Sequence, residues 1–206
     1  MQKKHVVLII AVLAIIGSAA SLYFSNRTPP IDFSLYGSAG TVAAEETAKL
    51  LGGSGAIALF ITDSDETIPA LRAQVDSFQK ALAEKNITVM VVERIPTGGM
   101  STELVPDQIS KTVANHQGLK GIVSFVRLAS LSSADIAALK QGGIKLVAVS
   151  SYFPNYKKLL QSEVLNLAVV PRFGSPVVPT KKPKTVREQF EQTYQLLTPE
   201  NAATLP

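Results

Sequence analysis

The sequence contains no cysteine and no tryptophan, only two histidines, and just 6% aromatic residues. Without cysteine there are no disulfides, no thiol catalysis and no Cys-ligated zinc. His5 belongs to the basic N-terminus, and His116 stands at a helix end before Gly118. Neither is spaced with a second ligand for a metal. With so few rings, the 46% hydrophobic content is aliphatic, the composition of buried parallel strands covered by helices. Charge excess is small as well. The net charge is +4, and Lys3 and Lys4 supply part of it. The remainder forms no concentrated basic stripe of the kind nucleic acid requires. The cluster Lys181, Lys182 and Lys184 lies in a proline-rich stretch and reads as a solvated linker.

One long apolar run is present. Residues 6–24 are nineteen in a row without a charge. As a helix they span about 28 Å, close to the hydrocarbon thickness of a bilayer. Lys3 and Lys4 precede the run, so the positive-inside rule places the N-terminus in the cytoplasm and the rest outside. The expectation is a bacterial inner-membrane anchor with an exported domain in the periplasm or outside the cell. A cleaved signal peptide is the alternative, with Ser18-Ala19-Ala20 as its small-residue cleavage site. Leu22-Tyr23-Phe24 prolongs the run past that point and favours the anchor.

Nucleotide and catalytic motifs are missing. Gly52, Gly53 and Gly55 come before the first apolar strand, whereas a dinucleotide fingerprint follows it. There is no GxxxxGK[ST] and no GxSxG. Asp63 and Asp65 form a carboxylate pair with no base or third ligand nearby in sequence, and helix capping explains them more simply. No cofactor is implied, and the chain does not read as an enzyme.

What remains is an alternation. Residues 56–61, 87–92, 122–126, 146–150 and 167–170 are apolar runs of strand length. Helical patterns over 41–51, 68–84, 107–116, 134–141 and 155–161 stand between and before them. This spacing predicts right-handed crossovers and a three-layer α/β/α sandwich around a five-stranded parallel sheet. The expected organisation is an anchor at 1–24, a spacer at 25–40, an α/β lobe at 41–172, and a proline-rich strap with a C-terminal helix at 173–206. The helix is placed at 186–197, with Phe190, Tyr194 and Leu197 on one side, and the end from Thr198 is expected to be loose.

Ligands of open parallel sheets sit at the carboxyl ends of the strands. Thr62, Asp63, Ser64 and Asp65 occupy that place after the first strand. Glu93 and Arg94 follow the second, Arg127 the third, Ser150, Ser151 and Tyr152 the fourth, and Arg172 the fifth. Polar residues are expected at any such rim, because strand ends meet water.

The order of these pieces resembles a known family. "GTVAAEETAKLLGGSGAIALFI" (40–61), "ALRAQVDSFQKALAEKNITVMV" (70–91), "GLKGIVSF", "ALKQGGIKLVAVSS" and "SEVLNLAVVPR" are similar to the second lobe of type I periplasmic binding proteins and LacI-type effector domains. The resemblance covers 40–172. It implies a solute-binding lobe whose ligand is a small polar solute such as a sugar. The family's ligand-binding arginine position, four before Phe78, holds Gln74 here, with Arg72 two residues away. Arg127-Leu128 stands where the family often has Asn-Asp, and Ser151 where an aspartate is expected. Asp63, Asp65, Arg72, Gln74, Arg127 and Ser151 are thus the candidate ligand-binding residues. Such proteins close two lobes on their ligand, so a single lobe needs a second wall, from a homodimer or an envelope partner. Three functions follow in order: a membrane-tethered solute-binding or sensing module, an envelope scaffold that has lost its ligand, and an enzyme using the rim. Nucleic acid is not an expected partner.

Overall fold

The structure, a computed structural model, describes residues 32–97, 102–149, 153–173 and 183–205, together with Ser18. Apart from Ser18, the apolar run 6–24 lies outside the described residues. Among the described residues no helix is long and apolar enough to cross a membrane.

Phe33–Pro206 forms one unit built on a six-stranded sheet. Helix α1 (Ser34–Leu50) leads into β1 (Ser54–Thr62), the short α2 (Asp63–Thr67), α3 (Pro69–Ala83) and β2 (Asn86–Ile95). Then come β3 (Glu103–Leu104), α4 (Pro106–Asn115), β4 (Leu119–Ser124), β5 (Arg127–Leu128), α5 (Ser133–Gln141) and β6 (Lys145–Val149). The chain continues through α6 (Asn155–Gln161), β7 (Leu165–Pro171), α7 (Val186–Thr193) and β8 (Tyr194–Leu197) to a 3-10 helix, Pro199–Thr204. The sheet order is β2-β1-β4-β6-β7-β8, and β3 with β5 makes a separate two-stranded parallel pair. Five strands are parallel; β8 runs antiparallel to β7.

The alternation of side chains along the strands builds two cores. Ile57, Leu59, Ile61, Val123, Val147 and Val169 pack on one face, under α1, α3 and α7. Ala58, Phe60, Ile122, Leu146, Ala148 and Val170 pack on the other, with Ile109 of α4 and Tyr156, Leu159 and Leu160 of α6. Each fully buried Leu, Ile or Phe contributes about 1.5–3 kcal/mol. Asn166 has no partner in the β6–β7 register, and its Oδ1 instead accepts the Leu146 amide hydrogen at 2.9 Å.

Four expectations are corrected. The sheet has six strands, not five, and is mixed rather than wholly parallel. The predicted helix over 186–197 stops at Thr193, and Tyr194–Leu197 becomes the added strand. Phe190, Tyr194 and Leu197 are spaced as on a helix, but Phe190 and Tyr194 enter one core while Leu197 enters the other. Backbone pairing with the open edge of β7 outweighs the local helical preference. The tail is not loose: Ala202 and Leu205 are buried, and the Asn201 amide donates to the Leu196 carbonyl at 3.0 Å.

The fourth correction concerns α1, which begins at Ser34 rather than Thr41. Its glycines suggested a spacer, yet they serve packing. A Cβ on Gly37 would lie 2.9 Å from Ser77 Oγ, and one on Gly40 would lie 2.0 Å from the Gln74 carbonyl oxygen. Only glycine lets α1 approach α3 this closely. At the helix end the expected stop is present. Gly52 and Gly53 have φ of 71° and 80°, and their amides donate to the Lys49 and Ala48 carbonyls.

Candidate functional site

The carboxyl ends of the strands enclose a cleft of about 370 Å³. Thr62 ends β1, Val126 and Arg127 follow β4, Val149 ends β6, and Pro171 ends β7. Tyr194 reaches the same place because β8 runs the other way and starts here. The first turn of α1 adds Tyr36, and α3 adds Leu71 and Gln74.

Thr62 and Asp65 form a capping box on α2. The Asp65 amide donates to Thr62 Oγ1 at 3.2 Å, while Asp65 Oδ2 accepts from the Thr62 hydroxyl at 2.8 Å and from the Thr62 amide. Asp65 is 5% exposed. Burial raises its pKa above the ordinary aspartate value, outweighing the two Thr62 hydrogen bonds that pull it down.

Arg127 lies across the Phe153 ring, its guanidinium carbon 4.9 Å from the centroid, and it is paired with Glu103. Both residues come from the small β3–β5 pair, which fixes them at the rim. Tyr194 stacks on Phe190 at 5.8 Å. Burial pushes its phenol up to about 12, and Tyr36 adds to the shift. Phe125 meets Phe78 edge-on at 5.4 Å. Gln74 is 8% exposed and lines the cleft. Its carboxamide has no hydrogen-bond partner among the described residues.

Three of the six sequence candidates, Asp65, Gln74 and Arg127, come together here. Asp63 is exposed in α2 and does not line the cleft. Arg72 lies on the outer side of α3, its side chain 67% exposed and 3.4 Å from Asp76. Ser151 lies outside the described residues. Arg94 pairs with Glu66 at 2.7 Å, away from the cleft. The sequence reading missed the aromatic lining: Tyr36, Phe125, Phe153 and Tyr194. Tyr36 was hidden in the presumed spacer and Tyr194 in the presumed helix. Phe153, next to the rim residue Tyr152, and Phe125, two positions before Arg127, were the readable signal.

A second cleft, about 490 Å³, lies at the opposite ends of the strands, lined by Lys49, Lys145, Glu163 and Thr198 among others. It is larger, but charged surface side chains line it. Its Asn166 is already bonded to the Leu146 amide. The strand-end cleft has the buried, unbonded polar group and the rings.

No family model matches the sequence, and no curated protein does. Solved structures do. An arabinose-binding protein, AraP, from Geobacillus stearothermophilus is 14% identical with a TM-score of 0.59, over 83% of this chain and 63% of that one. A sugar-binding protein of a sugar ABC transporter from Bacillus halodurans is 16% identical with a TM-score of 0.57, over 82% and 64%. An ABC transporter solute-binding protein from Burkholderia graminis, in complex with D-arabinose, is 18% identical with a TM-score of 0.56, over 82% and 61%.

The fold is that of sugar-binding periplasmic proteins. The likeness is partial, since this chain spans less than two thirds of the length of each of these proteins. The resemblance drawn from the sequence therefore holds at the level of the fold.

Proposed function

We propose that this chain is an exported, membrane-tethered solute-binding or sensing module whose strand-end cleft takes a small polar solute such as a sugar. The observation that carries the reading is the convergence of Thr62, Asp65, Gln74 and Arg127 with four aromatic rings at one end of the sheet. Concave, largely apolar sites with a few convergent polar groups are where proteins bind small ligands, and open α/β sheets bind them at this end. In this reading residues 6–24 anchor the chain in a bacterial inner membrane and the α/β unit lies in the periplasm. A second copy or an envelope protein supplies the other wall, because a solute on an open face stays hydrated. In this reading the module binds rather than catalyses, with Asp65 held by its own cap.

A second reading has its own support. Two arginines of the rim are paired internally, Arg127 with Glu103 and Arg94 with Glu66. A scaffold domain that had lost its ligand would look this way. Thermal-shift measurements on the purified full chain, against a panel of pentoses, hexoses, nucleosides and amino acids, separate the two. A ligand at a hundred times its Kd adds about 2.7 kcal/mol and raises Tm by several degrees. A flat response across the panel, with a stable homodimer or a co-purifying envelope protein, contradicts the binding reading and favours the scaffold.

A further inference from the structure

The chemistry of the cleft narrows the class of its solute. Its charged side chains are engaged: Arg127 with Glu103 and Phe153, and Asp65 with Thr62. The polar side chains left free among the described lining residues are all neutral: the Gln74 amide, the Tyr36 and Tyr194 phenols, and the Thr102 hydroxyl. The most telling is Gln74. More than nine-tenths buried, it brings a donating NH2 and an accepting carbonyl oxygen to the cleft, neither of them used among the described residues. The remaining wall is mostly apolar or aromatic.

A polyhydroxylated hexose fits this set poorly. Each buried hydroxyl both donates and accepts, and one left without a partner is costly. A hexose brings more hydroxyls than the ribose of a nucleoside does, so the four neutral groups of the described lining fall further short of it. A nucleobase has the matching features. Its flat face is buried by aromatic rings, and base–aromatic stacking is a recurrent source of affinity. Its edge carries a donor and an acceptor side by side, the pattern a carboxamide pairs with in bidentate fashion. It carries no net charge, in keeping with a cleft whose charged side chains already have partners within the protein. The cleft volume of about 370 Å³ is at the small end of ligand sites.

We infer that the cleft recognises a neutral nucleoside, its base lying between the Tyr36, Tyr194 and Phe153 rings and its edge paired with the Gln74 carboxamide. This rests on the solute-binding reading of the same cleft. The test is isothermal titration of the purified full chain with adenosine, guanosine, cytidine and uridine, alongside D-arabinose and D-allose. A nucleoside is expected to bind more tightly than either sugar. Gln74→Leu is expected to weaken that binding ten- to hundredfold while Tm stays within a few degrees of the parent. Gln74→Glu keeps the length and removes the donor, so it reports on the same pairing if the leucine variant does not fold. Sugar binding without nucleoside binding overturns this inference and leaves the solute-binding reading standing. Silence from both classes overturns this inference, and the wider thermal-shift panel then decides the solute-binding reading. Nucleoside binding that neither substitution weakens overturns the role of Gln74.

Discussion

Gly40 and Gln74 meet where α1 crosses α3: a methyl group on Gly40 would stand 2.0 Å from the Gln74 carbonyl oxygen and 2.9 Å from the Phe78 amide nitrogen. Both neighbours are backbone, so no side chain swings aside to make room. The contact fixes the height of Gln74 at the cleft and holds Phe78 in its core. Gly40→Ala is therefore expected to cost at least the upper part of the roughly 1–3 kcal/mol range of overpacking. Urea denaturation measures it, and a loss below about 0.5 kcal/mol contradicts this packing.

Asp65 makes a prediction with a definite sign. Its pKa is raised in the folded protein, first by burial, so its ionised form opposes folding. The penalty is absent below the unfolded pKa, grows as pH rises through the unfolded and then the folded pKa, and is complete above both. Asp65→Asn keeps an oxygen to accept the Thr62 amide and removes the charge. The variant is expected to match or exceed the parent in stability at pH 7, and its relative advantage should shrink as pH falls through the carboxylate range. Paired urea titrations at pH 7 and pH 3.5 check this. A relative advantage that grows on acidification contradicts it.

The C-terminal segment offers a contrast of magnitudes. Phe190 is fully buried in the core under α7, and Phe190→Ala is expected to cost about 3–5 kcal/mol. Arg187 reaches Glu46 at 2.8 Å and Glu191 at 3.1 Å but is 42% exposed, so Arg187→Met is expected to cost less than about 1 kcal/mol. Denaturation midpoints of the two variants decide it. Equal losses contradict the account in which burial, not the ion pairs, holds α7 to the sheet.

Strands with one strong signal were legible in the sequence. The buried runs of β1, β4, β6 and β7 are continuous and aliphatic, as strands covered on both faces must be. What escaped depended on tertiary contacts. Glycine in a helix reads as a break unless the neighbouring backbone is known, which hid the first two turns of α1 and Tyr36 with them. Tyr194 and Leu197 carry helical spacing and become a strand only because the β7 edge is open to pair with them. At the site, the rim position of Asp65 and Arg127 followed from strand order, and Gln74 from the family resemblance. Their partners did not: Glu103 and Phe153 lie 24 and 26 positions from Arg127 and meet it only through the β3–β5 pair and the loop before α6.

The most direct test of the cleft is a two-dimensional amide NMR titration of the full chain with adenosine and, separately, D-arabinose. The account predicts saturable shifts that gather at Thr62, at Phe125 to Arg127, at Val149 and at Tyr194, the carboxyl ends of the strands. Shifts that gather instead around Lys49, Lys145 and Thr198 at the far end of the sheet, or no shifts at millimolar ligand, contradict it.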